Sequence, residues 1–293
     1  TLFPYTTLFR SAITIKNLNK TYKDFSLQDI SFSVPKGSVM GFVGENGAGK
    51  TTTLKAILNL ISYDSGNIEI FGLDSKKNEK EIKEQIGVVF EGSNFHENLN
   101  TDHVSKIMSK IYKNWNDTLF KDYLKKLRVP DNKLIKEFSK GNKMKLSIAV
   151  ALSHKPKLLI LDEATSSLDP IVREEILDIF LDFIQDEEHS IILSSHITSD
   201  LDKIADYITF IHKGKIVFSE NKDELIDTMG VLKCKPSDFD NLSREDYSYY
   251  RKSQFGYEVL LKDKHRFISR HPNCIVDNTS IEEIMLFYVR GDK

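Results

Sequence analysis

The stretch Gly44-Glu45-Asn46-Gly47-Ala48-Gly49-Lys50-Thr51 decides the fold of this 293-residue chain. It matches the pattern G-x-x-x-x-G-K-[S/T]. The apolar run Val39–Val43 lies before it. Thr51–Leu60, with apolar residues at helical spacing, lies after it, and Ile68–Phe71 is predicted as a further strand. A buried strand, a glycine-rich loop and a helix in this order predict an α/β domain with a central, mostly parallel sheet. An ordinary glycine turn before a helix is the alternative, and the strand–helix context argues against it.

The residue types in this loop suit the binding of phosphate. Glycine lets the backbone wrap closely, so that several N–H groups point at phosphate oxygens, and the helix N-terminus adds partial positive charge. Lys50 supplies a point charge for the β- and γ-phosphates, and the Thr51 hydroxyl is a ligand for Mg²⁺. The predicted nucleotide-binding residues of this segment are Gly44, Glu45, Asn46, Gly47, Ala48, Gly49, Lys50, Thr51 and Thr52.

Two carboxylates, Asp162 and Glu163, come directly after the apolar run Leu158–Leu161. A strand here delivers both of them to the carboxyl edge of the sheet, where the sites of α/β proteins form. We predict that Asp162 holds Mg²⁺ and that Glu163 polarises the attacking water. Alone, this pattern indicates no more than a capped strand end. Together with the phosphate loop it indicates hydrolysis.

His196 comes after a further apolar run, Ser190–Ser194. Its place after a buried strand, beside the strand that carries Asp162, favours a contact with the γ-phosphate of a nucleotide. A neutral imidazole would donate from Nε2 in such a contact, and the sequence leaves the tautomer open. In the alternative interpretation, His196 is simply one of the eight histidines of the chain and has no role in the site.

The middle of the chain, at about residues 99–152, is predicted to be mainly helical. Residues that recur at i, i+3, i+4 and i+7 predict one apolar helix face, made of Val104, Ile107, Met108 and Ile111. Pro130 ends a lysine-rich helix. Acidic and apolar residues interrupt these lysines, which is typical of a solvated face and not of a nucleic-acid-binding patch.

Past about Glu220 the character of the sequence changes. Tyr257–Leu261 alternates as a strand does, and Thr279-Ser280-Ile281-Glu282 fits a capping box before a final helix. The apolar face predicted for this helix consists of Ile281, Ile284, Met285 and Tyr288. At about 70 residues, segment 221–293 is marginal as an independent core. We therefore predict a small α+β accessory domain that packs on the rest of the chain or on its counterpart in a dimer.

Composition excludes several classes of protein. The formal net charge of −2 argues against a whole-chain basic surface for DNA or anionic lipid. With 40% hydrophobic and 29% charged residues, the chain is not of the disordered class. Runs such as Leu158–Leu161 are far shorter than the roughly 20 residues that span a bilayer, so a membrane role needs a partner. Cys234 and Cys274 lack metal-ligand spacing and are too few for a disulfide scaffold, which favours a reduced, cytosolic setting.

Residues 1–11 differ in character from the remainder of the chain. They are rich in Phe, Thr and Leu, without periodicity and without an apolar stretch of signal-peptide length. We interpret them as a leader that is not native to the protein, since the run resembles translated sequencing-adapter sequence. A short ordered extension is the alternative.

With these motifs in this order, the chain resembles the nucleotide-binding subunit of an ATP-binding-cassette (ABC) transporter. Glu163–Pro170 resembles the family's run from the catalytic glutamate through the D-loop, which includes Asp169. Ser194-Ser195-His196 resembles the end of its switch-histidine strand. Phe138–Asn142 aligns with the signature LSGGQ, and Tyr22 stands where the family has an aromatic that stacks on adenine.

Two positions depart from the general pattern of the family. The signature has Lys140 where glycine is usual and Asn142 where glutamine is usual, whereas Ser139 and Gly141 remain. Glu91 stands where the Q-loop normally has glutamine. A carboxylate adds charge there, which leaves the metal contact of this position open. Both departures resemble bacterial ABC-2-type exporter subunits, including those for peptide-antibiotic resistance.

The resemblance covers about residues 12–220 and implies a P-loop NTPase cassette. That fold has a mostly parallel core sheet, an N-terminal antiparallel β part and a helical subdomain, here at about residues 95–152. The implied ligands are ATP and Mg²⁺, and the implied assembly is a head-to-tail homodimer or heterodimer in which the signature acts on the partner subunit's nucleotide. The resemblance adds five nucleotide-binding residues, Tyr22, Glu91, Ser139, Gly141 and Asp169. The metal ligands it implies are Thr51, Asp162 and Glu91.

The implied activity is ATP hydrolysis that drives an exporter. This chain would act at the inner face of the cell membrane, with a separately encoded integral membrane permease docked around Glu91 and Leu99–Leu127. No nucleic-acid partner is expected. Two alternatives remain: a soluble ABC ATPase that acts on ribosomes or chromosomes, and a nucleotide-binding regulator without hydrolysis. A single phosphate loop and the lack of a heptad run argue against the first, and Glu163 argues against the second.

Overall fold

The computed structural model describes residues 11–92, 95–131, 133–166, 168–254 and 256–293. Ten of the eleven residues interpreted as a leader lie outside the described residues, and Ser11 is the first residue of a strand. The chain divides after Ser219 into two compact units, each described separately below. None of the helices in the described part combines the length and hydropathy needed to cross a bilayer.

In the first unit, ten strands and seven α-helices are described, together with a 3₁₀ turn at Ile135–Glu137. The strands are β1 (Ser11–Thr21), β2 (Ser26–Pro35), β3 (Val39–Val43), β4 (Ser65–Ile70), β5 (Leu73–Asp74), β6 (Ile86–Val89), β7 (Leu158–Asp162), β8 (Ser190–Ser195), β9 (Tyr207–His212) and β10 (Lys215–Asn221, which extends past the division). The helices are α1 (Lys50–Ile57), α2 (Glu79–Lys83), α3 (Thr101–Ile111), α4 (Asp117–Lys126), α5 (Lys140–Ser153), α6 (Pro170–Phe183) and α7 (Thr198–Ile204).

The central sheet has the strand order β10-β9-β3-β8-β7-β6. Strands β9, β3, β8, β7 and β6 run parallel. Every residue of β3, β7 and β8 is buried, as expected for parallel strands covered on both faces. Val43 lies opposite Ser195, and Asp162 lies opposite Ser194, so these three strands end together at one edge. The predicted mostly parallel core sheet is confirmed.

An antiparallel sheet, β2-β1-β4-β5, accompanies the central one and confirms the predicted N-terminal β part. Its strand β4 ends at Ile70, one residue before the predicted end at Phe71. Phe71 and Gly72 both have positive φ, 53° and 77°, and form the two-residue turn between β4 and β5. A turn of that kind matches the twist of the strands on either side.

The first helix is also shorter than predicted, because it ends at Ile57 and not at Leu60. Asn59 adopts the left-handed conformation with φ 55°. The Asn59 N–H then donates to the Ala56 carbonyl at 3.1 Å and the Leu60 N–H to the Lys55 carbonyl at 2.9 Å. This pair of bonds is a Schellman motif, which satisfies the last carbonyls and stops the helix.

The helical subdomain contains α3, α4 and α5, and α3 packs against the other two. The apolar face predicted for α3 is wrong in its second half. Val104 is 1% exposed, whereas Ile107 is 41% and Ile111 is 56% exposed. The contact with α4 turns the N-terminal half inward, where the Ser105 hydroxyl donates to the Asp117 carboxylate at 2.5 Å. The far end of the apolar row therefore faces outward.

The second unit is a four-stranded sheet with four helices in the described residues, which agrees with an α+β class. Its strands are β11 (Gly230–Cys234), β12 (Tyr247–Ser253), β13 (Gly256–Leu261) and β14 (Val276–Asn278), in the order β12-β13-β11-β14. Its helices are α8 (Lys222–Thr228), α9 (Pro236–Phe239), α10 (Lys264–Arg270) and α11 (Ile281–Arg290).

The start of α11 lies one residue from the predicted position. Ser280, not Thr279, is the N-cap, and its hydroxyl accepts the Glu283 N–H at 3.2 Å. The buried side chains are Ile281, Ile284 and Phe287, so the face predicted to include Met285 and Tyr288 is rotated. Tyr288 instead contacts Tyr249, with ring centroids 4.6 Å apart.

Gly214, in the turn between β9 and β10, yields a stability prediction. Its φ is 75°, and a Cβ there would lie 1.8 Å from the Ser26 carbonyl oxygen. Gly72 has almost the same φ, 77°, with nothing within 4 Å of the Cβ position. Gly72→Ala should cost about 1–2 kcal/mol of unfolding free energy for the backbone conformation. Gly214→Ala should cost about 1–3 kcal/mol more, because backbone must also move.

Chemical denaturation of the two full-length variants measures this difference. Equal losses in the two variants would mean that the turn at Gly214 is not tightly packed against β2.

Candidate active site

The glycine-rich loop lies between β3 and α1, where the sequence predicts it. Gly49 is the N-cap of α1 and has φ 115°, a conformation that side chains rarely adopt. A Cβ at this position would lie 2.7 Å from the Leu27 side chain and 2.9 Å from the Phe25 ring. The loop is fastened to its surroundings, since the Gly214 N–H donates to the Ala48 carbonyl at 3.0 Å. The conformation of the loop is thus fixed by its neighbours.

Lys50 folds back over this loop. Its ammonium donates to the Gly44 carbonyl at 2.7 Å and to the Glu45 carbonyl at 3.3 Å. It also lies 3.6 Å from a carboxylate oxygen of Glu163, and the side chain is 6% exposed. A cation held in this way stands beside the loop's amides, where the phosphates of a nucleotide are predicted to bind.

Asp162 is the centre of a short hydrogen-bond chain at the end of β7. The Thr51 hydroxyl donates to Oδ2 of Asp162 at 2.7 Å, and the Ser194 hydroxyl donates to Oδ1 at 2.5 Å. Asp162 is 3% exposed, and its bond with Ser194 is buried, whereas Thr51 is exposed and its bond with Asp162 is only partly buried. The structure therefore brings together the two residues that the sequence predicts as metal ligands from different elements.

Glu163 and His196 meet across the ends of β7 and β8. Glu163 has φ 53°, and its Oε2 lies 2.6 Å from Nδ1 of His196. Because an ionised carboxylate only accepts, Nδ1 must carry the proton in this contact. The contact of His196 with the γ-phosphate stays a prediction.

Two adjoining clefts surround these groups. One, of about 600 Å³, holds the predicted hydrolytic side chains; the other, of about 490 Å³, extends from the same loop past Tyr22. They share Asp24, Phe25, Glu45, Asn46 and Gly47. The first is also lined by Gly49, Lys50, Thr51, Thr52, Glu91, Glu163, Ser166 and His196, and the second also by Thr21, Tyr22, Lys23, Ser26, Gln28, Ala48 and Lys213.

Tyr22 lies in the turn after β1 and is 44% exposed. Its N–H donates to the Phe25 carbonyl at 2.7 Å, which places both aromatic residues in one turn beside the glycine-rich loop. Phe25 was not predicted from the sequence. Its nearness to Tyr22 along the chain was the available signal, but one aromatic residue near another is too common to indicate a site.

Apart from Gly44, whose carbonyl accepts a hydrogen bond from Lys50, three predicted nucleotide-binding residues are not among those that line the two clefts. Ser139 is the N-cap of α5 and accepts the Asn142 N–H at 3.2 Å, and Asp169 is the N-cap of α6 and accepts the Val172 N–H at 3.1 Å. At Gly141 a Cβ would lie 3.7 Å from the Leu168 side chain. Helix α5 thus begins next to the loop that leads into α6. Their action on another subunit's nucleotide stays a prediction.

Glu91 lies just past β6 and lines the larger cleft. It is exposed, in contrast to the buried Asp162. This position of Glu91 agrees with a contact to a ligand bound in the cleft. Its role as a metal ligand stays a prediction.

Known proteins are similar to this chain over most of its first unit. A profile of the ABC transporter family matches residues 27–166. The bacitracin transport ATP-binding protein BcrA of Bacillus licheniformis is 39% identical over 210 residues, which cover 70% of this chain and 68% of that protein. The lantibiotic transport ATP-binding protein SrtF of Streptococcus pyogenes is 36% identical over 224 residues, 73% of this chain and 96% of that protein.

Solved structures are similar over a comparable share of the chain. One described as an ATP-binding subunit of an ABC transporter has a TM-score of 0.67 at 25% identity and covers 73% of this chain and 92% of its own. A dimeric ATP-binding cassette bound to ADP and phosphate has a TM-score of 0.65 at 21% identity, covering 71% and 98%. At that identity the second similarity concerns the fold alone.

Lys50 yields a prediction about nucleotide binding. Lys50→Ala removes a buried cation that faces the cleft, so the affinity for ATP should fall at least about tenfold, the equivalent of about 1.4 kcal/mol. Lys55→Ala is the matched control, because Lys55 lies on the same helix but is exposed. Titration with a fluorescent ATP analogue measures both variants. Unchanged affinity in Lys50→Ala would remove the glycine-rich loop from the binding site.

Proposed function

The chain belongs to the ABC transporter family of ATP-binding proteins, and we propose that it is the ATP-hydrolysing subunit of a membrane exporter. One observation carries the hydrolytic part of this proposal. The Glu163 carboxylate lies 3.6 Å from the Lys50 ammonium and 2.6 Å from the His196 ring, on a cleft continuous with the phosphate loop. A base, a cation and a histidine thus converge where the γ-phosphate of ATP is expected.

The chemistry can be derived from these positions. The loop amides and Lys50 hold the phosphate oxygens and offset their negative charge. Glu163 accepts a proton from water whose oxygen attacks the γ-phosphorus, and the bond to the β-phosphate oxygen breaks to give ADP and phosphate. His196, which contacts Glu163 through Nδ1, lies on the same cleft, where its ring can contact the γ-phosphate.

The residues present also fit Mg²⁺. Thr51 and Asp162 offer a hydroxyl and a carboxylate oxygen, both hard donors, and they already contact each other at 2.7 Å. The described residues contain no group of three or more His, Cys, Asp or Glu side chains that could enclose a metal. Mg²⁺ in nucleotide sites typically takes only one or two protein ligands and completes its shell with water and phosphate. When bound, it would supply positive charge that offsets the negative charge of the phosphates.

A dimer explains the residues that lie outside the clefts. We propose that Ser139, Gly141 and Asp169 contact ATP bound to another subunit. The start of α5 presents backbone N–H groups and partial positive charge, which suit a γ-phosphate. The small residue Gly141 leaves room for that approach. ATP would then join two subunits, and hydrolysis would let them separate.

The partner proposed is a separate integral membrane permease, bound at the inner face of the membrane. The outward-facing Ile107 and Ile111 support a docking surface on the helical subdomain, since exposed apolar neighbours mark interaction sites. The names of two relatives, for bacitracin and lantibiotic transport, favour a peptide antibiotic as cargo. The same names argue against the alternative of a soluble ABC ATPase not dedicated to transport.

Glu163→Gln tests the hydrolytic role. The amide keeps the shape of the side chain but cannot accept the proton of water, so the rate of ATP hydrolysis should fall about 10²–10⁴-fold while ATP still binds. ATP should then persist, and the ATP-bound dimer should become visible by light scattering. Glu188→Gln is the matched control, because Glu188 is an exposed carboxylate that pairs with Lys36 and not with the cleft. Wild-type turnover in Glu163→Gln would refute the assignment of the base.

A further inference from the structure

Ser194, at the end of β8, contacts both carboxylate residues of the site. Its hydroxyl donates to Oδ1 of Asp162 at 2.5 Å, and the same oxygen lies 3.2 Å from the Glu163 N–H, which donates to it. The Ser194 carbonyl also accepts that N–H, at 3.1 Å. The residue is fully buried, so water does not substitute for its hydroxyl.

These bonds act on two different features. The bond to Oδ1 leaves Oδ2 of Asp162 directed to Thr51, where Mg²⁺ is proposed to bind. The bonds from the Glu163 N–H hold that residue in its left-handed conformation, with φ 53°. In that conformation the Glu163 carboxylate reaches Lys50 and His196.

We propose that Ser194 is a positioning residue that orients Asp162 for the metal and Glu163 for the attacking water. The inference rests on the proposed ATP hydrolysis with Mg²⁺. Without the hydroxyl, Oδ1 of Asp162 is a buried charged oxygen without its donor, and the carboxylate is free to rotate away from Thr51. Removing a partner that orients a metal ligand typically costs about 10–100-fold in metal affinity or activity.

The experiment compares Ser194→Ala with Ser190→Ala and Ser194→Thr. Ser190 is a matched control, because it is also fully buried on β8, and its hydroxyl accepts the Gly37 N–H at 3.1 Å, far from Asp162. Electron paramagnetic resonance measures Mn²⁺ affinity in the presence of a non-hydrolysable ATP analogue, and nucleotide affinity is measured separately in EDTA.

Ser194→Ala should weaken Mn²⁺ binding about 10–100-fold and lower kcat by a similar factor, with nucleotide affinity in EDTA unchanged. Ser194→Thr should restore most of both, and Ser190→Ala should leave both unchanged. Unchanged Mn²⁺ affinity in Ser194→Ala, or equal losses in both alanine variants, overturns the inference. A wild-type protein without ATPase activity contradicts the proposed function instead, and Mn²⁺ affinity then still decides the role of Ser194.

Discussion

Three parallel strands that end at one level are the constraint on which the site depends. Val43 opposite Ser195 and Asp162 opposite Ser194 fix the ends of β3, β8 and β7 at one edge. The phosphate loop, the carboxylate pair and the histidine each begin where one of these strands stops. A slip of one residue in any pairing would turn the side chains to the opposite face. The backbone pairing of these buried strands therefore holds the chemistry in register.

Much of the site was predictable from local sequence. Three local patterns indicated it: the strand, loop and helix around Lys50, the carboxylates after Leu161, and the histidine after Ser195. Each of these patterns spans only a few residues. The contact of Glu163 with His196 was not predictable, because it depends on strand order and on a left-handed backbone conformation. Phe25 was missed since its place beside the loop arises from the turn between β1 and β2.

Other errors had local physical causes. The capping pattern near Thr279 was placed one residue early, because two neighbouring hydroxyl residues both fit and only the backbone selects Ser280. Ile107 and Ile111 are exposed, whereas Ser105 on the same helix is buried and bonds to Asp117, which periodicity does not encode. Periodicity states that a face is apolar; it does not state what covers that face. In this chain the uncovered end belongs to the subdomain for which a membrane partner is proposed.

The positive φ of Glu163 makes stability and activity compete at one position. A residue with a side chain in that conformation lowers the free energy of unfolding by about 1–2 kcal/mol relative to glycine, which adopts it without strain. Replacement by glycine would remove the backbone strain and raise the free energy of unfolding, but it would also remove the carboxylate from the cleft. Random mutation selected for thermal stability alone would therefore drift toward inactive proteins at this site. The protein with Glu163 is thus expected to be less stable than its Glu163→Gly variant, because its activity requires the carboxylate at this position.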